Sequence, residues 1–141
     1  MKANLENKLL AVIRVRGRVG VRHDIEETLK RLNLKRVNNL SLVYGTKSNI
    51  GMVRKCNDFI TYGEISSEIL QKLVDEKRST LEKSALEEIA SGKKSASELT
   101  KMPIQMHPPR RGYESTKKGV GDKGALGYRG ESINNLIKRM M

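Results

Sequence analysis

The sequence predicts a mixed fold of strands and helices, of the α/β or α+β class, followed by a basic extension. Residues 1–63 alternate between apolar patterns of period two and of helical period. Residues 64–102 carry helical stripes behind capping signatures, and residues 103–141 lose periodicity and contain all three prolines. We therefore predict a β-α-β-α-β core at 1–63, a helical appendage at 64–102 and an extended basic segment at 103–141.

The first predicted strand is apolar on both faces. The odd-numbered residues from Leu9 to Val15 are apolar and share one face, and Leu10 and Val12 add apolar character to the other. A strand that buries both faces lies inside a sheet rather than at its edge. We expect this strand to be central.

A helix follows the first strand. Asp24 and Glu27 have the spacing of a capping signature, and Ile25, Leu29 and Leu32 form one apolar stripe behind it. This pattern predicts a helix that begins near Asp24.

The remainder of the core repeats the alternation. A strand is predicted at Leu40–Tyr44, and Ser48 or Asn49 can cap a short helix that runs through about Cys56. A third strand, Phe59–Tyr62, completes the pattern. Strands that are joined by helical crossovers usually pair in parallel, so parallel pairing is the default expectation for these three strands.

The second half of the chain is predicted to be less regular. The stretch from Ser66 to Lys101 reads as helices that either pack on the core or form a protein-interaction module. Residues 112–130 are rich in glycine and lysine, so we expect them to order when a partner binds. Apolar residues at helical spacing from Ile133 to Met140 predict a final helix that docks on the core.

Charge and composition narrow the class of protein. The 141 residues carry a net charge of +12, divided as +8 over residues 1–60, −1 over 61–102 and +5 over 103–141. Two basic blocks point to a nucleic-acid partner that is touched at two places. One domain's length excludes a large multidomain enzyme, and no apolar run is long enough to span a membrane. The single Cys56 favours a reducing cytosol.

No catalytic or metal site is recognisable, and we predict no cofactor and no small-molecule substrate. His23, His107 and Cys56 are too far apart for a zinc-binding spacing. Gly119, Gly121 and Gly124 match G-x-G-x-x-G, but the polar stretch before them is not a buried strand. A nucleotide-dependent enzyme that uses this loop remains the rival from another class, and failure to bind ATP or NAD would exclude it.

Arginine dominates the candidate binding residues. Arg14, Arg16, Arg18 and Arg22 lie in the string RVRGRVGVR, which contains no acidic residue, and arginine presents a bidentate fork to phosphate. Three residues near the second basic block can stack on bases. They are His107, Tyr113 and Tyr128.

Four segments resemble a known family. AVIRVRGRVGVRHDIEETLKRLNLKRVNNLSLV, GMVRKCNDFITYGEI, HPPRRGY and LGYRGESINNLIKRM are similar to the ribosomal large-subunit family numbered thirty in bacteria and seven in eukaryotes, in its archaeal form. Arg111 stands where the resemblance leads us to expect glycine. The resemblance implies an α+β, ferredoxin-like core, in which a three-stranded antiparallel sheet carries two helices on one face.

The resemblance also implies a cytoplasmic, structural role in the large ribosomal subunit. The implied partners are large-subunit rRNA, near the 5S rRNA, and neighbouring ribosomal proteins. Carried onto this sequence, the arginine string would meet rRNA from the core, and a second set would meet it from the extension. That second set comprises Arg110, Arg111, Lys117, Lys118, Lys123 and Arg129. Further candidates are Lys35, Arg36, Lys47, Arg54 and Lys55. A general RNA or DNA architectural factor is the alternative among binding proteins.

Overall fold

The structure is a computed structural model of the chain. It describes residues 9–17, 19–32, 34–66, 68–69, 72, 104–113, 115–119 and 124–140. Most of the predicted helical appendage lies outside these residues, as do Arg18 and Lys123.

The described residues form an α+β fold built on one sheet. The strands are β1 (Leu9–Arg14), β2 (Asn39–Tyr44), β3 (Ile60–Glu64), β4 (Ile104–Gln105), β5 (Ser115–Gly119) and β6 (Gly124–Tyr128). The helices are α1 (His23–Arg31), α2 (Lys47–Lys55) and α3 (Ile133–Met140), with a 3-10 turn at Gly130–Ser132 before α3. The strand order in the described part is β4-β2-β1-β3-β6-β5.

The three core strands are antiparallel, as the family resemblance implies. Val12 of β1 lies opposite Ser41 of β2 on one side and Tyr62 of β3 on the other. The Asn38 N–H donates to the Arg14 carbonyl at 2.9 Å, so the chain re-enters the sheet at the end where β1 stops. This return to the same end explains why the default parallel pairing does not occur.

Strand β1 is central and buried on both faces, which confirms the prediction from its pattern. Leu10 and Val12 are fully buried in a cluster with side chains of α1 and α2. Ala11 and Ile13 are fully buried in a second cluster with side chains of α3. The sheet is therefore covered by helices on both faces.

The observed helix caps differ from the predicted ones. Arg22, not Asp24, occupies the N-cap position of α1. Asp24 lies in the first turn, where its negative charge interacts favourably with the positive end of the helix dipole. The Thr46 hydroxyl, rather than Ser48 or Asn49, caps α2 by accepting from the Asn49 N–H at 3.2 Å. A capping pattern in the sequence therefore locates the start of a helix only to within one or two residues.

The C-terminal segment is part of the same sheet and core. β6 pairs in parallel with β3, with Thr61 opposite Gly127. Ala125 and Leu126 of β6 are buried beside Val15. Within residues 112–130, β6 thus has ladder hydrogen bonds and a short apolar pair that hold it on the core, and the expectation that this segment orders when a partner binds stays a prediction. The predicted docking of the last helix is confirmed by the burial of its apolar stripe on the sheet.

Gly63 allows α3 to approach the sheet closely. A Cβ at this position would collide with the Gly130 carbonyl oxygen and lie 3.0 Å from the Ile133 Cβ. The absence of a side chain on β3 at this point lets the 3-10 turn and the start of α3 lie directly on the strand.

Candidate nucleic-acid interface

Asn38 joins the N-terminal core to the C-terminal segment at the end of the sheet where β1 stops. It adopts a left-handed conformation (φ +66°), which asparagine tolerates better than most residues. Its carbonyl accepts from the Met106 N–H at 3.1 Å, and its Oδ1 accepts from the Tyr113 hydroxyl at 2.6 Å. One residue therefore fixes segments that are far apart in the sequence.

Two basic loops lie side by side at this end. The loop at 15–22 follows β1, and the connection at 34–38 precedes β2. A Cβ on Gly17 would lie 3.8 Å from a Val37 methyl group, so the two loops are in van der Waals range. Both loops present exposed cations, which are Arg16, Arg22, Lys35 and Arg36.

Arg16 is held in place while it stays exposed. Its guanidinium carbon lies 5.2 Å from the centre of the Phe59 ring, in a cation–π arrangement. Its Nη1 also lies 3.5 Å from the Asp58 carbonyl oxygen. These contacts limit the rotamers of the side chain, so a phosphate contact would cost it less conformational entropy.

The C-terminal segment brings a third basic loop to the same end. The turn at 109–112 is closed by the Gly112 N–H, which donates to the Pro109 carbonyl at 2.9 Å. Arg111 and Gly112 are both left-handed in this turn, with φ of +68° and +73°. Its backbone places the exposed side chains of Arg110 and Arg111 towards solvent.

Arg139 fastens this turn to the C-terminus of α3. Its Nε and Nη2 donate to the Arg110 carbonyl at 3.0 and 2.9 Å, and its Nη2 also donates to the Gly112 carbonyl. In return, the Arg110 N–H donates to the Arg139 carbonyl at 3.0 Å. The reciprocal contacts satisfy carbonyl groups of both the turn and the helix end.

We call these three loops together the basic end of the sheet. Its exposed cations in the described part are Arg16, Arg22, Lys35, Arg36, Arg110 and Arg111. Asp24 offsets one of them, because its carboxylate lies 3.2 Å from Arg22 Nη2. Both basic blocks of the sequence therefore supply exposed cations to this end of the sheet.

The structure corrects the expectation for Arg14, which was predicted to contact RNA. Its side chain is 1% exposed. Its Nη1 donates to the Leu34 carbonyl at 2.8 Å, and its Nε donates to the Arg16 carbonyl at 2.9 Å. Arg14 therefore holds the two basic loops together from inside, and we leave it out of the proposed surface.

Tyr113 and Tyr128, expected to stack on bases, are instead engaged within the fold. Besides its bond to Asn38, Tyr113 is buried enough that its pKa rises to about 12. Tyr128 lies 5.6 Å from Tyr62, ring centre to ring centre, and its hydroxyl donates to Glu64 Oε1 at 3.1 Å. Burial, followed by the bond to Glu64, raises the pKa of Tyr128. Both rings attach the C-terminal segment to the core.

Arg129, another predicted contact, also has a role inside the fold. Its Nε donates to Thr61 Oγ1 at 2.9 Å, and its Nη2 donates to the Ala125 carbonyl at 3.3 Å. Thr61 is fully buried and donates in turn to the Gly127 carbonyl at 3.0 Å. This chain of bonds ties β6 to β3, so we assign Arg129 to positioning the strand.

The other predicted residues are spread around the molecule. Arg54 and Lys55 are exposed at the end of α2, where Lys55 Nζ lies 3.8 Å from Asp24. Lys47 is exposed beyond the opposite end of β2, about 20 Å away by the length of the strand. His107 is exposed beside the third loop. Lys117 and Lys118 lie on β5, and Arg18 and Lys123 fall outside the described residues.

Sequence reasoning missed Asn38 and Arg139, which organise the basic end. The pair Asn38-Asn39 before a strand is turn chemistry and could have indicated the loop. The role of Arg139 carries no local signal, since its partners are carbonyl groups of a remote turn.

The described part was also searched for membrane-spanning helices, metal sites and a dinucleotide-binding loop. No described helix has both the length and the apolar character that crossing a membrane requires. The described residues contain no group of three or more His, Cys, Asp or Glu side chains that could hold a metal ion. Cys56 is buried, and burial raises the pKa of its thiol to about 11. Gly119 ends a strand and Gly124 begins another, which is not the strand-to-helix context of a dinucleotide site.

Comparison with known proteins decides the family. The family described as ribosomal protein L30p/L7e matches residues 10–60, from β1 to the start of β3. The large ribosomal subunit protein uL30 of Methanococcus maripaludis is 39% identical over 93% of this chain and 98% of its own length. The corresponding protein of Nanoarchaeum equitans is 43% identical over 93% of this chain and 97% of its own length. That of Thermoplasma volcanium is 36% identical over 94% of this chain and 93% of its own length.

The chain belongs to the uL30 family. This confirms the resemblance and, with it, the prediction of a ribosomal protein rather than an enzyme. The matches cover the C-terminal segment as well as the core, so the basic end lies within a region that is similar in these uL30 proteins.

Proposed function

We propose that this uL30 protein is a structural component of the large ribosomal subunit in the cytoplasm, and that its basic end binds folded large-subunit rRNA. The convergence of three cationic loops around Asn38 carries the proposal. Arginine and lysine side chains at this end would neutralise phosphates and release counterions, which supplies most of the binding free energy.

The geometry favours recognition of a folded backbone over reading of bases. The backbones of the loops are anchored by Arg14, Asn38 and Arg139, so the attachment points of the cations are held in place. The expected stacking residues Tyr113 and Tyr128 are engaged with the core. Cations on anchored loops, with the neighbouring aromatic rings engaged in the fold, suit shape and phosphate recognition.

We further propose that the bound site lies near the 5S rRNA and that neighbouring large-subunit proteins complete the contacts. The exposed cations of α2, Arg54 and Lys55, lie beside the basic end, because Lys55 and Arg22 contact the same carboxylate oxygen of Asp24. They would extend this surface towards neighbouring rRNA. Crosslinking of the protein in intact subunits, followed by sequencing of the attached RNA, would test this. Crosslinks confined to rRNA segments remote from the 5S rRNA would contradict the location.

Sedimentation tests the ribosomal role directly. In a sucrose gradient of cell extract, the protein should migrate with the large subunit, at one copy per subunit, and stay there after a moderate salt wash. A general architectural factor would instead spread over many nucleic acids and wash off. A nucleotide-dependent enzyme would remain at the top of the gradient and would bind ATP or NAD.

The salt dependence of binding tests the surface itself. Binding of purified protein to transcribed large-subunit rRNA should weaken with a log–log slope of about −0.9 per phosphate neutralised on duplex. Replacing Arg16, Arg36 and Arg110 together with alanine should make this slope shallower by about 2.7. Lys72→Ala, which changes an exposed lysine outside the three loops, is the matched control. An unchanged slope in the triple variant would remove the basic end from the proposal.

A further inference from the structure

The basic end also carries exposed apolar surface. Among the described residues, the exposed large apolar side chains are Val19, at 99%, and Val37, at 39%. Val19 belongs to the loop at 15–22 and Val37 to the connection at 34–38, which lie within van der Waals range of each other. The two exposed apolar side chains therefore lie on the same two loops as exposed cations.

Val19 has no role in the packing of the fold. It lies in a turn with Gly20, whose φ of +75° leads the chain back towards α1. A side chain that is 99% exposed contributes almost nothing to the core, and a polar residue would serve the turn equally well. The valine therefore has a free surface that a bound partner can cover.

We propose that Val19 packs on the ribose and base-edge surface of an rRNA minor groove, with Val37 on the adjoining loop, while the surrounding cations contact the phosphates. This inference rests on the proposed function and adds a means of recognising the shape of the RNA. The minor groove of A-form RNA is wide and shallow, so an apolar loop tip can reach its floor. The minor groove of B-form DNA is narrow, about 6 Å wide, and does not admit such a loop readily.

The charge around the two valines argues for RNA as the occupant. Arg16, Lys35 and Arg36 are exposed on the same two loops. A protein partner with an apolar patch would strip water from these cations without pairing them, which is unfavourable. An RNA backbone pairs them on both sides of the groove while the valine covers the sugars.

Substitution at Val19 separates this contact from the electrostatic ones. Val19→Ser should weaken binding to transcribed large-subunit rRNA about tenfold, the loss expected for one buried apolar side chain. The salt slope should stay unchanged, because no cation is removed. Val19→Ile, which keeps the apolar surface, should bind like the natural protein. Thermal unfolding of both variants should match that of the natural protein, and binding of Val19→Ser to a B-form DNA duplex should be unaffected.

Three results would overturn the inference. Equal rRNA affinity for Val19→Ser and the natural protein would show that the valine is not covered. A shallower salt slope in Val19→Ser would show that the substitution moves the cations instead. Normal rRNA binding combined with lost incorporation into salt-stripped large subunits would assign Val19 to a protein partner. If the natural protein binds rRNA no better than DNA, the proposed function fails as well, independently of Val19.

Discussion

The Tyr113 hydroxyl donates to Asn38 Oδ1 at 2.6 Å, across 75 residues of sequence. Asn38 belongs to the connection before β2, and Tyr113 immediately follows the turn that carries Arg110 and Arg111. This bond, together with the Met106 N–H donated to the Asn38 carbonyl, holds the segment that carries Arg110 and Arg111 at the end of the sheet where β1 stops.

Tyr113→Phe should lower the stability of the protein and loosen this surface. The change removes one partly buried hydrogen bond and leaves Asn38 Oδ1 without its donor, so the free energy of unfolding should fall by about 1–2 kcal/mol. Urea denaturation at neutral pH measures this. A change smaller than the error of the urea fit would show that the bond is replaced by water at no cost.

The difference in stability between the natural protein and Tyr113→Phe should depend on pH. Burial raises the pKa of Tyr113 from 10.0 to about 12, against a smaller opposing effect of Arg129. The folded protein therefore keeps this phenol neutral where the unfolded chain ionises it. The contribution of the neutral phenol to the free energy of unfolding is therefore fully present below pH 10 and is lost as the pH rises through about 12. Tyr62 and Tyr128 remain in both proteins, so the stability advantage of the natural protein over Tyr113→Phe should shrink over this range.

Arg14→Met should destabilise the fold strongly. Methionine fills similar space but leaves the Leu34 and Arg16 carbonyl groups without the donors that Arg14 provides. The free energy of unfolding should fall by about 3 kcal/mol. Arg16→Met is the matched control, since Arg16 is exposed, and it should cost about 0.5 kcal/mol or less. Similar losses in both variants would contradict the assignment of Arg14 to the interior.

Two glycines should respond to alanine in opposite directions. Gly63→Ala places a Cβ against the Gly130 carbonyl oxygen and should cost about 3 kcal/mol, because β3 and the 3-10 turn must separate. Gly51 lies in α2 with nothing within 4 Å of a Cβ, so Gly51→Ala should gain about 0.5–1 kcal/mol. Chemical denaturation of the two variants measures both changes. A tolerated Gly63→Ala would show that α3 can shift on the sheet.

Arg111→Gly should weaken rRNA binding and raise the stability of the fold. Arg111 adopts φ +68°, which glycine reaches without strain, so stability should rise by about 0.5–1 kcal/mol. Loss of the side chain should make the salt slope of rRNA binding shallower by about 0.9 if Arg111 contacts a phosphate of a duplex. Arg110→Gly is the control, because Arg110 is not left-handed: it should shift the slope equally but lower the stability. Equal stability changes in the two variants would contradict the strain at Arg111.

Local sequence patterns predicted a large part of this fold. The doubly apolar segment from Leu9 to Val15 identified β1 as the central strand, and the stripe from Ile133 to Met140 identified α3 as a docked helix. These predictions succeed because burial repeats with the period of the element itself. β6 was missed because Ala125 and Leu126 are a short apolar pair in a glycine-rich and lysine-rich stretch, and their strand is stabilised by pairing with β3.

The sequence by itself determined the net charge, its two blocks, the order of the core elements and the family resemblance. Only the tertiary structure decided which cations are available. Arg14 and Arg16 are two residues apart in one basic string, yet the first is 1% exposed and the second faces solvent. The physical reason is that composition gives the number of charges, whereas the desolvation and hydrogen bonding of each charge depend on remote partners such as the Leu34 carbonyl. For the same reason only the tertiary structure brings cations of both basic blocks to one end of the sheet, where Tyr113 contacts Asn38.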